Sequence, residues 1–162
     1  MRLFFTLGLL TTAYIAVFLG SADPLFCPLL NITINPLIPL ITVVGCQCRL
    51  SHTFLVALFG SLWQTSLSSD PLALNLLPLF SAGYFFHEFH GRLNMRDPFT
   101  KFVFGALAHI SVQSSTLLLL LTLGHTPAIE WGLLWQWILS SVVTGLLTIV
   151  AMPYLNWLNR AF

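Results

Sequence analysis

Charge is what this chain has least of. Lys and Arg number 6 and Asp and Glu 5 among 162 residues, a charged share of 7%, where a soluble globular chain carries about 25%. So few charged side chains cannot cover a soluble domain of this size, and much of the surface must face lipid. The net charge of +1 excludes the clustered basic footprint of a nucleic-acid binder. Cysteine is limited to Cys27, Cys46 and Cys48. There is no long polar linker, internal repeat or low-complexity tail, so residues 1–162 read as a single polytopic membrane domain. The sequence holds no G-x-S-x-G nucleophile motif and no H-E-x-x-H zinc motif.

What is abundant is apolar sequence, 57% of the residues, with a mean hydropathy of +0.88. A membrane span takes roughly 20 apolar residues. Uncharged stretches run from Leu3 to about Ser21, Leu29 to Cys46, Thr53 to Ser68, Leu72 to Phe86, Phe102 to Leu123, and Trp131 to Leu158. The expected fold is therefore an all-α integral membrane protein with six transmembrane helices. The breaks are punctuated by Asp23-Pro24, Cys46 to Arg49, Asp70-Pro71, Gly91 to Pro98, and Gly124 to Pro127. Asn31, Asn35, Pro36 and Pro39 fall within the second stretch, which predicts an interrupted helix.

Charge placement agrees with six spans. Basic residues of short loops stay on the cytoplasmic side. With six helices, Arg2, Arg49, Arg92, Arg96, Lys101 and Arg160 all share the side of the two termini, which predicts both termini cytoplasmic. Asp23, Asp70 and Glu130 fall in the opposite loops. Trp131 and Trp135 then sit near the outer interface, Tyr154 and Trp157 near the inner one. The first segment also fits the outline of a cleaved signal peptide. Gly8, Thr12, Ala16 and Gly20 recur every four positions, however, and such a face lets another helix approach closely.

His87-Glu88-Phe89-His90 is the one local gathering of ionisable groups. On a helix His87 and His90 share a face, while Glu88 points about 100° away. A zinc protease needs its histidines four apart, and no third ligand is evident, so neither a metal nor a cofactor is expected. The stretch reads instead as the end of a helix leaving lipid, since a central carboxylate costs on the order of 3 kcal/mol. The cysteines read as packed thiols.

Intramembrane polar residues show helical order. Gly105, His109, Gln113 and Thr116 form one stripe, Ser140, Thr144 and Thr148 another, flanked by Ser141 and Gly145, and Gly60, Gln64 and Ser68 a third. Such faces join helices by close packing and hydrogen bonds, or line a cavity for a small ligand, lipid or partner helix. His109 invites a role because histidine is unusual inside a membrane.

The run Phe54 to Pro98 resembles the middle of the bacterial rod shape-determining MreD family. Phe59 and Gly60 match that family's glycine-containing helix, Pro71, Leu72, Leu74 and Asn75 its turn element, and Arg92 and Arg96 its basic loop. Asn35-Pro36 resembles the start of the preceding helix, and Ser140 through Pro153 to Arg160 resembles the last span. Gln64 stands where the family commonly has an aspartate, and Ala73 replaces a glycine in the turn, which is one residue longer. The resemblance implies a non-enzymatic scaffold of the elongation machinery, with no catalytic residue. Its implied partners are an MreC-like protein, the actin-like MreB, the glycosyltransferase RodA and a class B penicillin-binding protein. Recognition would use helix faces bearing Gly8, Thr12, Ala16, Gly60, Gln64, Asn75, Gly105, His109, Gln113, Ser140, Thr144 and Thr148. Arg49, Arg92, Arg96 and Lys101 would meet cytoplasmic partners or anionic membrane lipid.

A second resemblance, in size and helix count, is to the substrate-binding subunit of an energy-coupling-factor vitamin transporter. It implies a first helix that presents small residues to a coupling subunit, here Gly8, Thr12 and Ala16. It also implies an outer pocket with Trp63, Asn75, Trp131 and Trp135 as candidate lining. A closed, ligand-sized outer cavity would favour this reading, an open lateral groove the scaffold. An intramembrane enzyme using His109, or His87 and His90, has no second catalytic group to support it.

Overall fold

The computed structural model describes residues 2–21, 35–68, 71–89, 97–125 and 131–161. All six elements among them are helices: α1 (Arg2–Ser21), α2 (Leu37–Gln47), α3 (Leu50–Leu67), α4 (Leu72–Phe89), α5 (Pro98–Thr122) and α6 (Trp131–Ala161). Three are long and apolar enough to cross a membrane, over Leu3–Gly20, Pro98–Thr122 and Trp131–Leu158. The chain has the build of a helical membrane protein. At 18 residues each, α3 and α4 are about 27 Å long, close to a hydrocarbon thickness of about 30 Å.

Helix α2 is the exception in length and the centre of the bundle. Its 11 residues reach only about 16 Å. Every residue from Leu37 to Cys46 is buried, and α2 touches all five other helices. A helix apolar on all sides belongs in an interior. Of the residues expected to interrupt this stretch, Pro36 and Pro39 stand at the start of the helix. Pro36 is its N-cap, and Pro39 lies in the first turn, where a missing N–H leaves no intrahelical bond unmade. The Leu37 N–H donates to Asn35 Oδ1 at 3.1 Å and the Ile38 N–H to the Asn35 carbonyl at 3.0 Å. Residues 22–34, which include Cys27 and the first part of the second stretch with Asn31, lie outside the described residues.

The ends of α5 are legible in its chemistry. Asp97 is its N-cap, accepting from the Thr100 N–H at 2.9 Å and the Thr100 hydroxyl at 3.0 Å, and Pro98 fills the first helical position. The Thr100 backbone N–H, above all, holds the Asp97 carboxyl below the usual carboxylate range. The far end closes on Gly124 at φ 81, with the Gly124 N–H on Leu121 O and the His125 N–H on Leu120 O. That pairing needs a left-handed residue, and glycine adopts it without a Cβ penalty.

Contacts fix the directions of the helices. Phe5 meets His52 edge-on at 5.7 Å and Tyr14 meets Trp63 at 5.2 Å, so α1 and α3 run parallel. Gly8 lies against Leu158, and the Thr12 and Tyr154 hydroxyls are 3.2 Å apart, so α6 returns antiparallel to α1. The start of α1 and the end of α6 therefore share one end of the bundle with Arg49, Asp97 and Lys101. Trp131, Trp135, Ser68 and Gly124 mark the other end.

The tightest crossings use glycine. A Cβ on Gly45 of α2 would stand 2.6 Å from the Gly83 carbonyl oxygen of α4. One on Gly60 of α3 would stand 2.7 Å from a Leu37 δ-carbon. Backbone cannot yield as a leucine tip can. We predict that Gly45→Ala lowers stability by about 1–3 kcal/mol, and that Gly60→Ala costs less. Thermal unfolding of the two variants in the same lipid nanodiscs measures this, and a reversed order would contradict the α2–α4 crossing.

Candidate functional site

A polar cavity of about 180 Å³ lies beside the start of α2, between α3, α4 and α5. Four carboxamides reach it from four parts of the chain: Asn35 before α2, Gln64 on α3, Asn75 on α4 and Gln113 on α5. Thr116, one turn beyond Gln113, adds a hydroxyl. Gln64 is four residues before Ser68 and Asn75 four after Pro71, which places both about 6 Å inside the α3–α4 turn. This is the end of the bundle that carries Trp131 and Trp135.

The hydrogen-bond inventory of the lining is incomplete in an informative way. Asn35 Oδ1 is used by the Leu37 N–H, Asn75 Nδ2 donates to Thr65 Oγ1 at 3.3 Å, and the Thr116 hydroxyl donates to the Val112 carbonyl at 2.9 Å. Gln64 Oε1 is buried without a partner. Leaving such an acceptor unmet costs about 1–3 kcal/mol. Pro78, buried within α4, has no N–H to give to the carbonyl of Leu74, four residues earlier. Leu74 also lines the cavity. Polar backbone at membrane depth is tolerated where it faces protein or a water-filled space.

The expected stripe on α5 divides between two neighbours. Gln113 and Thr116 face the cavity, whereas Gly105 and His109 face α6. Within the α5–α6 seam, Thr144 Oγ1 is 3.3 Å from His109 Nδ1 and also donates to the Ser140 carbonyl at 2.7 Å. Thr148 donates to Thr144 O at 2.8 Å and packs on Gly105. Ser140, Thr144 and Thr148 are all buried, as is His109. His109 Nε2 and Ser140 Oγ have no partner. The seam joins two helices, with one imidazole as its polar centre. On α3, Gly60 packs on Leu37, Gln64 enters the cavity, and Ser68 lies past the end of the helix as its C-cap.

The small-residue face of α1 is used inside the chain. Gly8 packs on Leu158, Thr12 meets Tyr154, and Ala16 is buried. Its opposite face, with Phe4, Leu7, Tyr14 and Phe18, is exposed. A wider apolar groove of about 560 Å³ opens sideways between α5 and α6, lined by Ile110, Trp131, Leu134, Trp135, Trp137 and Ile138.

At the opposite end, Arg49 is exposed and caps the start of α3, and Lys101 lies in the first turn of α5. Arg92 and Arg96 lie outside the described residues, as does His90. His87 Nδ1 donates to the Gly45 carbonyl at 3.1 Å, so this histidine ties α4 to α2. Among the described residues no group of three His, Cys, Asp or Glu side chains is placed to hold a metal ion. Cys46 is buried and Cys48 half-buried, both as free thiols.

The sequence singled out Gln64, Asn75 and Gln113 separately, and the fold brings them together. It did not reveal Thr65 as the partner of Asn75, or the link between Pro78 and the Leu74 carbonyl. Residues so far apart carry no shared spacing to betray either. Compared with family models, curated proteins and solved structures, the chain matches none.

Burial pushes the Cys48 thiol from 9.0 up to about 11. A pKa raised by folding keeps the neutral thiol favoured at neutral pH, and that preference is lost as pH rises toward 11. The thiolate is the nucleophile. With Cys48 as the sole cysteine, maleimide coupling at neutral pH should run ~100-fold slower than for an ordinary thiol and rise about tenfold per pH unit. A rate that levels off near pH 9 would contradict this burial.

Proposed function

We propose that this chain is a non-enzymatic membrane scaffold of the MreD type, part of the bacterial machinery that directs side-wall peptidoglycan synthesis and cell shape. In this reading it crosses the cytoplasmic (inner) membrane six times with both termini cytoplasmic. The basic end, with Arg49, Lys101 and Arg160, then faces the cytoplasm, and the polar cavity faces outward.

The observation that carries the proposal is the lateral groove between α5 and α6. Two of its tryptophans are strongly exposed, Trp131 at 87% and Trp135 at 62%. An open apolar groove of this kind receives a partner helix or lipid by packing along its length. The polar cavity, at about 180 Å³, is smaller than the roughly 300–1,000 Å³ of drug-sized ligand sites. A vitamin-binding subunit is supported less, because Gly8, Thr12 and Ala16 are already packed against the chain's own helices. The exposed face of α1 and the groove are the surfaces offered to an MreC-like protein, RodA and a class B penicillin-binding protein. The Arg49 loop and the loop that carries Arg92, Arg96 and Lys101 are offered to MreB and anionic lipid.

The test is purification of the tagged protein in mild detergent from its native cells, with mass spectrometry of what accompanies it. Co-purification of an MreC-like protein and other elongation proteins is expected. Trp135→Ala combined with Ile138→Ala should reduce that recovery several-fold if the groove is the contact. Recovery of an ATPase pair with a membrane coupling subunit would replace the scaffold with vitamin uptake.

A further inference from the structure

We infer that the four-carboxamide cavity is a binding site for one uncharged, hydroxyl-bearing group of about monosaccharide size, presented by a soluble sugar or by a glycolipid headgroup. The inference stands on the cavity itself and does not depend on the scaffold reading.

Charge is excluded first. None of the residues lining the cavity is ionisable. The start of α2 lies against it, yet that helix offers an anion nothing. The Leu37 and Ile38 N–H groups are bonded to Asn35, the Leu40 N–H to Pro36 O at 3.4 Å, and Pro39 has none. A divalent cation draws six or more oxygens to within about 2.6 Å, carboxylates among them, and no carboxylate lines the cavity. At roughly 30 Å³ per water, the space of about 180 Å³ holds about six waters.

What remains is neutral hydrogen bonding of both senses. Asn35 keeps its amide N–H groups, Asn75 its carbonyl oxygen, and Gln64 and Gln113 present whole carboxamides. A carboxamide donates through nitrogen and accepts through oxygen, and a sugar hydroxyl does both in return. Leu79, Ile38 and Val112 complete the lining, an apolar floor for the C–H face of a ring. Ligand sites share this form: an apolar wall with a few convergent polar groups. Gln64 Oε1, buried and without a protein partner, is an acceptor such a ligand would satisfy.

The experiment uses the full chain in nanodiscs of phosphatidylethanolamine and phosphatidylglycerol, which carry no sugar, and follows thermal unfolding by tryptophan fluorescence. One arm adds methyl glucoside at about 100 mM. A second replaces part of the lipid with monoglucosyl diacylglycerol. Further arms compare sodium with choline chloride and add inorganic phosphate. We expect a rise in Tm of about 3 °C in at least one sugar arm, lost in Gln64→Leu and in Gln113→Leu. A response to methyl glucoside assigns a soluble source, and a response to the glycolipid alone assigns a headgroup. Gln64→Leu keeps the side chain's bulk while removing its carboxamide, and each variant's shift is read against its own Tm without sugar. If it fails to fold, Gln113→Leu carries the comparison. Equal shifts in the wild type and the variants would reveal a bulk polyol effect and overturn the assignment. No shift in either sugar arm, or a shift confined to sodium or phosphate, would also overturn it.

Discussion

The bundle depends on one constraint: α2 must be covered on every side. An eleven-residue helix has no long stripe with which to hold a neighbour, and its stability comes from packing rather than propensity. Five helices supply that packing. Ile41, Val43 and Val44 are fully buried, and the Thr42 hydroxyl is satisfied within the helix by Ile38 O at 2.8 Å. Gly45 lets α4 approach to backbone contact, and Gly60 lets α3 close over Leu37. The His87 bond to Gly45 fastens the same crossing. Because α2 is short, the bundle is not packed uniformly along its length. Near its start the lining turns polar, and the cavity forms there.

The α5–α6 seam solves a different problem. Two long helices cross through Gly105 and Gly145, and hydroxyls of Ser140, Thr144 and Thr148 line the contact. Most of those hydroxyl donors go to carbonyls of their own helix, so the seam gains close approach while exposing little hydrogen-bonding demand to lipid. His109 reaches across it to the Thr144 hydroxyl. The outer flank of the same pair keeps Trp131 and Trp135 exposed, so one face of α6 is spent on the fold and another is not. This division of surfaces underlies the proposed scaffold role.

Much of the architecture was legible in the sequence. Six apolar stretches correspond to six helices, and Asp97-Pro98 with Gly124 marks the limits of α5 in the residues themselves. Apolar runs are poorer guides to helix ends. α3 begins at Leu50 and α5 at Pro98, before the apolar stretches do, because polar first turns still form helix where they leave lipid. For the prolines of α2 position decides the effect: Pro39 within the first turn costs nothing that the same residue would cost a turn later. Periodicity identified the face of α5 but not its neighbours, which change along the axis from α6 to the cavity. The cavity was not legible as a site. Asn35, Gln64, Asn75 and Gln113 share no local pattern, and only the crossing of α2 with its neighbours brings them together.

The account rests most directly on the two ends of the bundle lying on opposite sides of the membrane, with the cavity end outside. Single cysteines introduced into a cysteine-free chain at Ser68 and at Arg160, both exposed, report this through an impermeant maleimide applied to intact cells. The account predicts labelling of Ser68→Cys in intact cells and of Arg160→Cys only after the membrane is opened. Labelling of both from outside, or the reverse order, would contradict it.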